Sequence, residues 1–200
     1  STPIKSSAAS DVYKRQAMKY FFIFSLLAFL AVMCYMDILR YMVARDYWEG
    51  LSVVAIVMGA EIFKGIYFNL SFWYKLTDET QWGAYFSLIG CAVILALNVW
   101  LVPTYGYVAS AWASVAGYGV ITVLSYFIGQ KKYPVHYPLK QMGVYLILAA
   151  VLFILSQVVT IQHVVWRLAF RTVLLLVFVA YILKKDLPLK AIPFVNRFVK

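Results

Sequence analysis

Charge is scarce in this chain: Asp, Glu, Lys and Arg make up 13% of its 200 residues, about half the share of an ordinary soluble domain. With 64% hydrophobic residues and a mean hydropathy of +0.81, polar groups are too few to cover a water-soluble globule, which excludes an ordinary soluble enzyme. Disorder is excluded as well, because disordered segments are poor in the aromatics that here reach 18%. Cysteine is equally sparse. Cys34 and Cys91 lie inside apolar runs, away from any CxxC or histidine spacing, so neither a zinc site nor a disulfide framework is indicated. His136, between Pro134 and Pro138, and the lone His163 lack the neighbours that a metal or a nucleophile needs. There is no glycine-rich phosphate loop, no inward pair of carboxylates and no Ser/His/Asp set at interpretable spacing. No cofactor or metal is implied, and the chain reads as a non-enzyme.

What the chain has is length in apolar runs. The first sixteen residues, STPIKSSAASDVYKRQ, are polar, with no stretch long enough for a signal-peptide core. The string SSAASDVYKRQ looks like translated sequencing-adaptor sequence, so residues 1–16 are expected to be a non-native leader, with the natural reading frame extending upstream. A hydrocarbon core of roughly 30 Å takes about twenty apolar residues per helix. Residues 17–200 hold six such lengths, at about 18–40, 51–74, 82–102, 107–129, 142–161 and 164–183. These runs are apolar on all faces rather than alternating, so the expected fold is all-α, a polytopic transmembrane bundle of six helices.

The net charge of +10 would suggest nucleic acid in a soluble chain, but beside apolar spans it records orientation. Ten Lys or Arg fall on one side (Lys19, Lys75, Lys131, Lys132, Lys140, Lys184, Lys185, Lys190, Arg197 and Lys200) and four on the other (Arg40, Arg45, Arg167 and Arg171). This places both ends in the cytoplasm. The cluster Lys131, Lys132, His136 and Lys140 marks the same face, where anionic membrane lipid is attracted. On the outer side, Asp37 and Arg40 are expected to pair at i,i+3, and Arg167 and Arg171 to snorkel toward the headgroups.

Between the third and fourth spans, Pro103 is expected to stop a helix and Gly106 to supply a left-handed turn, giving a tight hairpin. Beyond it Ala109, Ala113 and Gly117 recur every four residues, the spacing that lets two membrane helices approach closely. In the second span, Glu61 and Lys64 stand among Val53, Ile56, Met58, Ile62 and Phe63. Glu61 lies about 15 Å from Leu51 along a helix, near the bilayer midplane. At 100° per residue, Glu61, Lys64, Gly65 and Asn69 share one arc of about 140°. Two readings of this polar face stay open: an ion pair neutralised between packed helices, or the lining of a cavity.

The segment Asn98-Val-Trp-Leu-Val-Pro103-Thr-Tyr-Gly106-Tyr-Val-Ala109-Ser110-Ala111 resembles the corresponding segment of bacterial polysaccharide-biosynthesis transporters. These are the O-antigen type oligosaccharide flippases of the multidrug/oligosaccharidyl-lipid/polysaccharide exporter superfamily. The resemblance continues through Trp48-Glu49-Gly50-Leu51, Gly65-Ile-Tyr67-Phe-Asn69-Leu-Ser71-Phe-Trp73-Tyr74-Lys75-Leu-Thr77, Gly83-Ala-Tyr85 and Gly129-Gln130-Lys131, covering about residues 18–140. The last two spans match in hydropathy alone. Such transporters usually have fourteen helices, so the resemblance implies the last six of them, in the bacterial inner membrane, lacking the N-terminal lobe of the same protein and unable to transport alone. It implies translocation of polyprenyl-diphosphate-linked oligosaccharide by alternating access, driven by a coupling ion, proton or sodium. The second span would border the central cavity, with Lys64 on phosphate, Asn69 and Tyr67 on sugar and Glu61 carrying the ion. Tyr67 points about 120° from Glu61 and is the weaker candidate. A multidrug or peptidoglycan-precursor exporter of the same superfamily would share this fold. A membrane-embedded polysaccharide ligase or polymerase fits less well, because the connections are short.

Overall fold

The structure is a computed structural model that describes residues 3–159 and 161–186. Among the described residues it is predominantly helical, with no strand. Eight α-helices follow one another: α1 (Pro3–Cys34), α2 (Met36–Leu39), α3 (Val54–Leu70), α4 (Phe72–Leu76), α5 (Gln81–Tyr105), α6 (Tyr107–Lys132), α7 (Leu139–Val158) and α8 (Val164–Lys185). Tight 3-10 turns at Arg40–Met42 and Arg45–Val53 lie between α2 and α3. Six stretches of the described residues are long and apolar enough to cross a membrane: Val12–Cys34, Arg45–Leu76, Gln81–Tyr105, Tyr107–Lys132, Leu139–Val158 and Val164–Lys185. The chain is thus an all-α polytopic bundle, with four of the spans within three residues of those expected and the first two beginning six residues earlier. Lys190, Arg197 and Lys200, counted above for orientation, lie outside the described residues, as do Ser1 and Thr2.

Residues 3–16 are continuous with the first span in one helix, since α1 begins at Pro3. Their Ala, Lys, Arg and Gln content favours helix, and an existing helix propagates one bond per residue. At the other end α1 stops at Cys34, short of the expected residue 40. Neither proline nor glycine causes this break. Tyr35 is anchored through its hydroxyl to Thr172 Oγ1 at 2.9 Å.

The chain divides into two compact units, Ser1–Phe22 with Arg45–Leu139, and Ile23–Ala44 with Lys140–Lys200. In the first unit α6 packs against both α5 and α3. The small residues of α6 explain this: Ala109, Ala113 and Gly117 are all buried, and the buried face continues through Ile121, Thr122, Ser125 and Gly129. A Cβ on Gly117 would run into Ile94 of α5, with the Gly90 carbonyl 3.2 Å away. Lower down, the Trp73 ring of α4 lies on Gly129, where a Cβ would stand 2.7 Å from Cδ1. Thr122 Oγ1 joins α6 to α3, sitting 2.9 Å from the Phe63 carbonyl and 2.7 Å from its own Tyr118 carbonyl. The aromatic core of this unit is Tyr67, Trp73, Tyr74 and Phe86 with Ile121. Beside it, Glu79 accepts from Lys132 Nζ and from Trp82 Nε1 at 2.8 Å. The Lys132 ammonium, helped by that indole N–H, holds the Glu79 carboxyl below the ordinary carboxylate range.

In the second unit Tyr145 of α7 and Phe178 of α8 are fully buried and meet edge to face, 6.4 Å between centroids. The Tyr145 hydroxyl donates to the Asp186 carboxylate. Asp37 does not pair with Arg40 as its spacing suggests. Its Oδ2 accepts from Arg167 Nε at 2.7 Å and Arg171 Nη1 at 3.1 Å, while Arg40 Nη2 donates to the Tyr41 hydroxyl. The two arginines therefore do not snorkel freely. A half-buried carboxylate offers them a counter-charge, and a guanidinium gains more from that than from reaching alone for the surface.

The α5–α6 hairpin is as tight as expected, but Pro103 does not stop the helix, which runs on to Tyr105. A proline this close to a C-terminus removes one hydrogen bond near carbonyls that are leaving the ladder anyway. The turn is made by Gly106, at φ 63° and ψ −150°, outside the left-handed helical region and in one that glycine almost alone occupies. Gly106→Ala is therefore expected to cost about 1–3 kcal/mol. No atom lies within 4 Å of a Cβ built there, so the whole cost is conformational. It should appear as a lower thermal unfolding midpoint in detergent, and an unchanged midpoint would show that the hairpin relaxes without strain.

Candidate functional site

Helical spacing in α3 puts Lys64, Tyr67 and Phe68 on one face, three and four residues apart. All three line a cavity of about 610 Å³ within the first unit. Facing them from α5 are Gly83, Ser87, Gly90, Cys91, Ile94 and Leu95, again at steps of three and four. The pattern is small residues toward one end and branched ones toward the other, which opens room without breaking the helix. Tyr118 and Ile121 of α6 and Tyr74 and Lys75 of α4 complete the wall. Gly83 allows this: a Cβ there would press to 3.2 Å on the Tyr74 ring.

The wall is mostly apolar with a few convergent polar groups, as small-molecule sites usually are. Tyr67 is buried, its hydroxyl 3.3 Å from that of Tyr74. Its ring meets Phe86 edge-on, 6.2 Å between centroids. Ser87 Oγ donates to the Gly83 carbonyl at 2.8 Å, which leaves its lone pairs as acceptors. Two lysines, Lys64 and Lys75, stand in the wall, and no carboxylate does. Lys64 Nζ lies 5.5 Å from the Tyr118 ring centroid, a cation–π contact, while Lys75 Nζ sits 5.7 Å over Phe72.

The residues singled out from sequence separate here. Lys64 and Tyr67 share the cavity. Glu61 is not among its lining residues, but it touches one of them: Lys64 Nζ donates to Oε2 at 3.2 Å and to Oε1 at 3.3 Å. The Glu61 side chain is 57% exposed and that of Lys64 36%. Asn69 is absent from the lining. Its Nδ2 donates back to the Gly65 carbonyl at 3.0 Å, and Gly65 itself is covered by the Phe21 ring of α1. The sequence pattern does not single out Lys75, Ser87, Cys91 or Tyr118, yet a signal for Ser87 and Cys91 exists in the small residues Gly83, Ser87, Gly90 and Cys91, three and four apart along α5.

Chemically, the cavity combines apolar walls with tyrosine and serine hydroxyls and two ammonium groups, the groups that interact with apolar surface, with hydrogen-bonding oxygens and with negative charge. Comparison with family models, with curated proteins and with solved structures gives no match.

Proposed function

We propose that the chain is part of a flippase that carries polyprenyl-diphosphate-linked oligosaccharide across the bacterial inner membrane, both ends of this segment facing the cytoplasm. The family resemblance over about residues 18–140 suggests this reading. The observation that carries it is a cavity walled by membrane-spanning helices that holds two lysines and three tyrosines but no carboxylate. A diphosphate joining a lipid to sugars presents the complementary features, anionic oxygens flanked by hydroxyls and an apolar tail. Transport of this kind makes and breaks no bond. It needs only different affinities for the cargo in inward-facing and outward-facing states. A peptidoglycan-precursor exporter would use the same chemistry, because its cargo is also a lipid diphosphate. Export of cationic drugs is disfavoured by the lysines, since like charge in a desolvated wall repels.

The cavity contains its own reporter. Cys91 is exposed in its wall, whereas Cys34 is buried. With the protein in nanodiscs, a water-soluble maleimide is expected to alkylate Cys91 and leave Cys34 untouched. Saturating lipid-linked oligosaccharide should slow that alkylation at least about fivefold. Lys75→Met should weaken the protection by about tenfold in ligand concentration, the effect of one charge-assisted hydrogen bond of roughly 1.5 kcal/mol. If Cys91 reacts equally fast with and without ligand, the cavity is not where this cargo binds.

A further inference from the structure

Ser125 departs from a habit of the hydroxyls in these helices. Ser87, Ser114, Thr122 and Thr172 each donate to the carbonyl one turn back, at 2.7–3.1 Å. Ser125 is fully buried on α6, and its Oγ has no hydrogen-bond partner among the described residues. Trp73 on α4 repeats the anomaly: the residue is 4% exposed and its Nε1–H is likewise unpartnered. Both side chains line the same small cavity, of about 10 Å³, where α4 meets α6.

The two orphaned atoms are held apart. The indole lies on Gly129, where a Cβ would stand 2.8 Å from Nε1. Ser125 is one turn earlier on the same face of α6, and side chains four residues apart on a helix stand about 5–6 Å from each other. That is too far for one hydrogen bond and matches two in series of about 2.8 Å each. The Trp73 ring is fixed in place by Tyr74 and Trp82, 5.3 and 6.1 Å away between centroids. Neighbouring polar groups are already engaged: Gln130 Nε2 donates to the Val135 carbonyl at 2.5 Å, and Thr77 Oγ1 to the Trp73 carbonyl at 3.0 Å.

We infer that this cavity binds one water molecule, which accepts from Trp73 Nε1–H and hydrogen-bonds to Ser125 Oγ, joining α4 to α6. Size, charge and polarity select the occupant. Room of roughly 10–15 Å³ is the least that holds a single water, so nothing larger fits. Among the described residues no charged side chain lines the cavity, which leaves an ion without a counter-charge. An indole N–H only donates, so the occupant has to accept, and a water that accepts from it still has a proton for Ser125. Both atoms also lie within candidate membrane spans, where bulk water cannot relieve an unpaired polar group. The bridge matters to the larger cavity, because α4 also carries Tyr74 and Lys75 of its wall. The water fastens that stretch of wall to α6.

The test is solid-state NMR on the protein in nanodiscs, with tryptophan labelled at the indole nitrogen, reading magnetisation transfer from water at short mixing time. The Trp73 signal is assigned by its loss in Trp73→Phe. Buried as it is, Trp73 should still show a water cross-peak, and Ser125→Val, whose methyl groups take the room of the water, should abolish it. Ser125→Ala is the milder variant. It deprives the water of one partner and should lower the thermal unfolding midpoint by about 2–4 °C, whereas removal of a hydroxyl from a dry site leaves the midpoint unchanged or raises it. A wild-type Trp73 without a water cross-peak, a cross-peak that survives in Ser125→Val, or a midpoint that does not fall in Ser125→Ala would each overturn the bound water.

Discussion

Asp37→Ala is expected to destabilise the protein by about 3 kcal/mol, close to the largest effect that a single polar substitution can have. Asp37 Oδ2 accepts from both Arg167 and Arg171, and the Arg171 side chain is only 10% exposed. Removing the carboxylate leaves two guanidiniums facing each other with weak alternatives. Arg171 Nη1 keeps the Cys34 carbonyl at 3.4 Å and Arg167 Nη1 the Ile161 carbonyl at 3.4 Å. An exposed ion pair would matter far less, about 0–1 kcal/mol. The distinction can be measured. Arg171→Met alone should also destabilise, but added to Asp37→Ala it should cost little more, because the second change removes a charge the first left unpaired. Thermal unfolding in detergent of the two single variants and the double variant gives the coupling. A coupling below about 0.5 kcal/mol would show that the ions act independently and that the triad is incidental.

The second large effect concerns the seam of the first unit. Gly117→Leu should cost roughly 3 kcal/mol, at the upper end for overpacking. Even the Cβ of an alanine at this position would run into Ile94, and the Gly90 carbonyl behind it belongs to backbone that cannot rotate away. A leucine forces α5 and α6 apart. Ile94 and Gly90 also line the cavity, so the variant should lose ligand protection of Cys91 as well as stability. Gly119→Leu is the control on the same helix, since nothing lies within 4 Å of a Cβ there. If the two leucine variants unfold at the same temperature, the close approach at Gly117 is not what holds these helices together.

These two sites differ in how far the sequence announces them. Gly117 belongs to a four-residue repeat of small residues, a local pattern with a direct physical meaning, and its burial follows. The six spans are legible for the same reason, because hydropathy over twenty residues is a sum that one neighbour cannot overturn. Asp37 is the opposite case. Its nearest basic residue in sequence, Arg40, turns to Tyr41 instead, while its partners lie 130 and 134 positions away. No spacing rule within a helix reaches that far. The cavity falls between these cases. Glu61 and Lys64 are an i,i+3 pair that spacing predicts and the structure contains. Asn69 shares their arc but bonds to its own backbone, because an amide in a helix has a carbonyl one turn back always within reach. Lys75 and Tyr118 reach the cavity only through the packing of α4 and α6, which arc arithmetic on α3 does not contain.

The same Asp37 cluster sets a timetable for biosynthesis. Ile23–Ala44 belongs to a compact unit whose remainder begins only at Lys140. During translation at about 5–20 residues per second, the Asp37 carboxylate emerges on the order of ten seconds before either of its arginines exists. For that interval the segment just after the first span carries an acidic group without its final counter-charge, while the chain between makes its other four candidate crossings. The second unit can assemble only when α8 arrives. Truncation anywhere before Arg167 therefore strands Asp37 as well as removing a helix, and a protease or insertase that recognises uncompensated charge at a membrane face would meet it first in such chains.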